Sequence, residues 1–254
     1  MMNKAKIKSF KRELASELRG LADILLNTRL LRDSSPLRGA AEMCTANLQN
    51  TDWEYQCLGL NFIVNNSYLD IYKRTIPSNL REVIIELSVA AKGFCIELDD
   101  NSDPFTSLRV DCRMEGRQRN GVAYFCAWHL DRNLGTTVDE SKHFVHPCYH
   151  FQFGGNQLPQ ELGYGRLLLV EPPRIAHPPL DAILAVDFVL SNFFPNIWQE
   201  LRLDDRYPRI VQQAQRRFWL PYAKAATRGR RWGADSGNAS WDVKDVWPQV
   251  VLPD

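Results

Sequence analysis

The chain has 254 residues, 44% hydrophobic and 24% charged, with 31 Lys and Arg against 30 Asp and Glu and a net charge of +1. A chain this long buries roughly 70% of its extended surface without staples, which excludes a disulfide scaffold, and the proportions exclude a collagen or a disordered tail. The longest apolar stretch, Leu180 to Phe194, is broken by Asp181, Asp187 and Asn192. It is shorter than the roughly 20 residues a bilayer requires, so no membrane partner is expected.

The amino terminus is basic, but charges resume at Glu13 and Glu17 before any apolar core of a signal peptide develops. Six cysteines (Cys44, Cys57, Cys95, Cys112, Cys126, Cys148) stand singly and never as Cys-x-x-Cys. They read as buried thiols in a reducing, cytoplasmic compartment.

In chain order, Ile7, Phe10, Leu14, Leu18, Leu21 and Leu25 recur at close to 3.6 residues and predict a long amphipathic helix over 4–31. Ser34-Ser35-Pro36 starts a second helix, reaching about Leu48. Residues 52–74 read ambiguously, as short helices around Trp53 and Tyr68. Ser78 followed by Leu80, Val83, Ile84 and Leu87 predicts a further helix ending near Gly93. Beyond it the period changes to two. Leu108, Val110, Cys112 and Met114 alternate with Arg109, Asp111, Arg113 and Glu115, the pattern of a strand with one wet face. Val122 to Leu130 is apolar on nearly both faces and predicts a central strand, joined to the previous one by a turn over Glu115–Gly121. Phe94 to Leu98, Cys148 to Phe153 and Arg166 to Val170 complete a sheet.

Helix returns after Pro178-Pro179, with Leu180, Ile183, Leu184, Phe188, Val189, Leu190 and Phe193 too widely spread for a surface helix. A last helix from Asp204 to Trp219 stops at Pro221. The fold class is therefore α+β, a central antiparallel sheet of about five strands flanked by N-terminal and C-terminal helices. A single domain is expected over 1–227, helical to residue 93, sheet over 94–171 and helical over 178–220. The tail over 228–254 is irregular but carries Trp232, Trp241 and Trp247.

All five histidines fall between His129 and His177. In His143-Phe-Val-His146-Pro-Cys-Tyr-His150-Phe-Gln-Phe the even positions from His146 share one strand face and the odd ones the other. His146 and His150 would stand roughly 13 Å apart on a straight strand, too far for one ion. None of the spacings of a zinc motif occurs, so no metal and no cofactor are expected. A metal-free acid–base site is the second reading, with His146, His150 and His177 as proton-transfer groups and Arg174, in the loop Glu171-Pro-Pro-Arg174-Ile-Ala-His177-Pro-Pro, on the developing charge. Asp187 shares a helix face with Ile183 and Leu190 and must find a partner if buried.

Residues 202–231 hold nine Arg and Lys against Asp204 and Asp205. Arg206, Arg209, Arg216 and Arg217 on the last helix are the candidates for nucleic-acid contact, with Lys4, Lys6, Lys8, Lys11 and Arg12 crowding the first. Phosphate-binding loops, dinucleotide fingerprints and nucleophile elbows are absent from the sequence. The leading expectation is a non-enzymatic binding or scaffold subunit of a cytosolic, prokaryotic multiprotein assembly, with a protein partner engaged by Trp232, Trp241 and Trp247 and nucleic acid as a further ligand. The alternative is a histidine-based nuclease or other phosphodiester-processing enzyme.

Overall fold

A computed structural model describes residues 3–64, 80–95, 102–132, 147–154, 175–227 and Val246. Two helices, α1 (Lys4–Asn27) and α2 (Ser35–Thr45), precede six strands: β1 (Asp52–Val64), β2 (Leu80–Phe94), β3 (Phe105–Gln118), β4 (Ala123–Arg132), β5 (Tyr149–Phe153) and β6 (Ile175–Ala176). Four helices follow, α3 (Ala182–Phe193), α4 (Pro195–Leu203), α5 (Arg206–Ala214) and α6 (Leu220–Ala226), with a π-helical turn over Gln215–Trp219. The strands form one antiparallel sheet in the order β1-β2-β3-β4-β5-β6. The α+β class and the flanking helices match the reading of the sequence.

Helix α1 begins at Asn3, whose side chain accepts the Lys6 amide at 2.9 Å, and buries Leu14, Leu18, Leu21 and Leu25 completely. Arg29, with φ at 60°, turns the chain so that Leu30 accepts the Ile63 amide and Leu31 bridges Phe62. The contact partly occupies the edge of β1, which would otherwise offer open backbone donors and acceptors.

Two expected helices are strands. Residues 52–64 bury Trp53, Tyr55, Cys57, Leu60, Phe62 and Val64, the alternation of a strand interrupted once. The interruption is a bulge between Cys57 and Leu60 at Gly59, whose φ of 69° suits glycine and whose amide reaches the Ser88 hydroxyl at 3.0 Å. That extra residue shifts the alternation and hides it from a period-two reading. In β2 the set Leu80, Val83, Ile84, Leu87 fits a helix, yet Val83, Ile85, Leu87, Val89 and Ala91 fit a strand better and are the buried set. Pairing with both β1 and β3 decides the matter. Gly93 is no helix cap. A Cβ there would lie 2.0 Å from the Pro104 carbonyl oxygen, against which β2 closes, so only glycine permits the approach.

A β3–β4 hairpin forms as expected, but β3 runs on through Gln118 and the turn is confined to 119–122, with Gly121 at φ 87° and the Asn120 side chain accepting the Val122 amide at 3.1 Å. Strand β4 lies inside the sheet, but only Ala127 and Leu130, on opposite faces, are fully buried, so both faces are wetter than its composition suggests. Phe94 ends β2, and the rest of the expected strand at 96–98, like Arg166 to Val170, lies outside the described residues.

The helices bury the inward face of the sheet. Trp53, Phe105, Phe218 and Tyr149 pack ring on ring, with Phe105 and Phe218 centroids 4.6 Å apart. Helix α3 is buried along most of its length, as expected. The carboxylate of Asp187 accepts the Trp198 indole N–H at 2.8 Å and the Tyr207 hydroxyl at 2.7 Å, with Arg202 at 3.6 Å. These partners come from α4 and α5. The final helix does not stop at Pro221. The π turn lets the Leu220 amide bond Gln215, and the proline without an amide enters α6 in its first turn, so the helical path continues to Ala226.

Asp181 caps α3, accepting the Leu184 amide at 2.9 Å, and is fully buried beside the Tyr55 hydroxyl. Burial pushes its carboxyl up to about 7 against the opposing pull of the cap bond and Arg217, with Glu17 adding to the rise. The folded protein therefore favours the protonated form more than the unfolded chain does. This contribution to stability is complete below the ordinary carboxylate range and is lost as the pH rises through about 7. Asp181→Asn keeps a capping oxygen but cannot ionise. Urea unfolding at about pH 5 and about pH 8 is expected to show the variant gaining stability over the wild type at the higher pH, and a constant difference would refute the assignment.

Candidate functional site

The alternation that buries one face of β1–β5 leaves the other lined by polar groups. Across that face run Asn61 on β1, Glu86 on β2, Arg109, Asp111, Arg113 and Glu115 on β3, His129 and Asp131 on β4, and His150 and Gln152 on β5. On β3 the charges pair along the strand: Arg109 Nε donates to Asp111 at 2.7 Å, Arg113 lies 3.4 Å from Glu115, and Arg117 donates to the same carboxylate. The Arg113 guanidinium also stacks 4.7 Å above the Phe125 ring. Between β1 and β3 the face forms a concavity of about 290 Å³ lined by Asn61, Ile84, Glu86, Arg113, Glu115 and Arg117.

At the other end of the face, register concentrates imidazoles and carboxylates. Asp131 pairs with His150 and His129 with Gln152 across β4–β5, while Asp111 pairs with His129 and Arg109 with Asp131 across β3–β4. His150 Nε2 lies 3.0 Å from Asp131 Oδ1, and the His129 and His150 rings stand edge to face with centroids 6.4 Å apart. One nitrogen or oxygen from each of His129, Asp131 and His150 lies within 4.8 Å of the other two. His150 is 3% exposed, whereas His129 and Asp131 are half-buried.

The histidine set singled out in the sequence is divided by this geometry. His150 lies on the polar face. His177, paired by its amide to the Tyr149 carbonyl, turns to the helical side, where its ring meets Phe151 at 5.6 Å and Phe188 at 6.2 Å. Its Nδ1 donates to the Pro178 carbonyl at 2.6 Å, and burial lowers its pKa, so the ring is neutral near pH 7. The two imidazoles therefore do not flank one substrate group. His146 and Arg174 lie outside the described residues, as do Trp232, Trp241 and Trp247. Sequence reasoning missed His129 and Asp131. Their signal was the i, i+2 spacing on one strand, which needs the register of the next strand to acquire meaning.

The candidate phosphate-binding arginines also separate. Arg217 is buried and donates two bonds of 2.9 Å to the Glu17 carboxylate on α1, with Phe10 over its plane at 5.3 Å, so it is a structural pair and not a surface for nucleic acid. Arg206 leans on Asp23 at 3.5 Å and Arg209 on Asp205 at 3.2 Å, both exposed, and Arg216 is exposed. Lys11, among the basic residues of α1, is buried with its ammonium on the Asn47 carbonyl at 2.6 Å. All six cysteines are free thiols, and burial pushes Cys44, Cys57 and Cys112 up to about 12, which leaves them poor nucleophiles. Among the described residues no helix is long and apolar enough to cross a membrane.

Neither a protein-family model, nor a curated protein, nor a solved structure matches the chain.

Removing Arg217 strands the partly buried Glu17 charge. Arg217→Ala is expected to lower unfolding free energy by about 3–5 kcal/mol, and Arg209→Ala or Arg216→Ala by no more than about 0.5 kcal/mol. Chemical denaturation of the three variants distinguishes a buried pair from a surface stripe.

Proposed function

We propose that the chain is a non-enzymatic binding subunit that docks a protein partner on the polar face of its sheet. The observation that carries the reading is the composition of that face. Arginines and carboxylates alternate on β3 and compensate each other along the strand. A polyanion is held by accumulated positive charge, and a face on which the signs cancel offers it little. A protein surface of mixed charge is the complement of such a face, with the concavity at Arg113 and Arg117 receiving a side chain. The long strands β1–β3 supply a rigid platform on which those side chains are held.

Membership of a cytosolic, prokaryotic assembly, and the contribution of Trp232, Trp241 and Trp247 to the same contact, belong to this proposal. Nucleic acid is a weaker partner in this reading, since Arg217 is committed to Glu17 and the exposed Arg206 and Arg209 have acidic neighbours. Phosphodiester chemistry by paired histidines draws no support from the separation of His150 and His177 across the sheet.

The test is native mass spectrometry of the protein isolated from its own cells, wild type beside the double variant Arg113→Glu, Arg117→Glu. Both side chains are partly or fully exposed, so the variant is expected to stay folded by circular dichroism. The wild type should carry a second polypeptide in fixed ratio, and the variant should lose at least about tenfold in affinity for it. A bare wild-type chain, or equal binding by both proteins, would overturn the proposal.

A further inference from the structure

We infer that His129, Asp131 and His150 form a binding site for a divalent first-row transition ion, of which Zn²⁺ is the probe. The inference is independent of the proposed partner, because it rests on donor geometry and not on the charge of the face.

Two ligands come from one strand and the third from its neighbour. Residues i and i+2 of a strand point the same way about 6.6–6.8 Å apart, and a directly opposed residue on an antiparallel neighbour stands about 4.5–5.5 Å away. His129 and Asp131 fulfil the first condition and Asp131 with His150 the second. Three side chains rising from the corners of so small a triangle can bring their donor atoms together above the sheet, which the two histidines spaced four apart on one strand cannot. Here the donor atoms already lie within 4.8 Å of one another, and His150 Nε2 is 3.0 Å from Asp131. Ligands of one ion stand about 3–4 Å apart at bond lengths near 2.0–2.2 Å, so side-chain rotations of modest size complete the set.

The donor chemistry is selective. Two imidazoles and one carboxylate suit zinc, iron, cobalt or manganese, whereas calcium and magnesium prefer oxygen alone. Three protein ligands leave at least one coordination position for water or an oxygen of a bound molecule, as in sites where a metal acts on a ligand and not merely as a staple. The surroundings help and oppose. Burial of His150 fixes its ring in place, and Gln152 stands beside His129 across β5. Arg109 faces Asp131 across β3 and disfavours a cation, but its guanidinium is drawn to Asp111 at 2.7 Å.

The experiment uses the full chain, stripped with a chelator and dialysed, then titrated with Zn²⁺ and separately with Co²⁺. The wild type should bind one equivalent by elemental analysis, show a zinc-dependent rise in melting temperature and give Co²⁺ a ligand-field absorption. His129→Ala is the decisive variant, because His129 is only half-buried and its loss should leave the fold intact by circular dichroism. It should bind Zn²⁺ at least about tenfold more weakly and lose the thermal shift. Asp131→Asn should behave in the same way. No stoichiometric zinc on the wild type overturns the inference, as does undiminished affinity in His129→Ala, which would move the metal to the thiols or to His143 and His146.

Discussion

A sheet whose inward face is packed on helices is the constraint from which the rest of this structure follows. Helices from both ends of the chain pack on the inward side chains of β1–β5, and buried residues from α1 through α6 form one apolar cluster with them. The side-chain period of two then dictates the opposite face, since every residue between two buried ones must point away from that core. The alternating charges of β3 and the histidines of β4 and β5 are consequences of which residues occupy those outward positions. A slip of one residue in any strand would bury the charges and expose the core, so register and the make-up of the outward face are set by one and the same force.

Within the helical layer, specificity comes from buried polar groups that each tie distant segments together. Glu17 on α1 holds Arg217 in the π turn, Asp187 on α3 gathers α4 and α5, and Tyr55 on β1 donates to Asp181 while its oxygen accepts the Ala182 amide at 3.0 Å. Asp103, just before β3, joins Arg132 at the end of β4 at 2.7 Å and accepts the hydroxyl of Tyr149 at the start of β5. Apolar packing alone is indifferent to small rotations of one helix on another. A buried charge with a single partner in reach is not, because any other arrangement leaves it unsolvated.

The polar face and the helical layer divide the ionisable residues by task. Arginines that look alike in sequence end in different places: Arg217 under aromatic rings, Arg109 and Arg113 on a sheet beside acids, Arg216 in water. The three described histidines divide likewise, His177 among phenylalanines and His129 with His150 over the sheet. Density of a residue type along the chain therefore says less about chemistry than the face on which each member falls.

By itself the sequence determined the fold class, α1, α2, β3 and its hairpin with β4, β5, and the burial of α3, because each of these segments carries an uninterrupted local period or a turn residue with a defined backbone preference. It also showed that Asp187 would need a partner. It did not determine β1 or β2, where a bulge at Gly59 broke one pattern and two periods fitted the other, and pairing with neighbouring strands made the choice. Nor did it show that a π turn would carry the chain past Pro221. The grouping of His129, Asp131 and His150 was decided only by tertiary structure: their closeness depends on the register between β4 and β5, a relation between segments that no spacing along one strand contains.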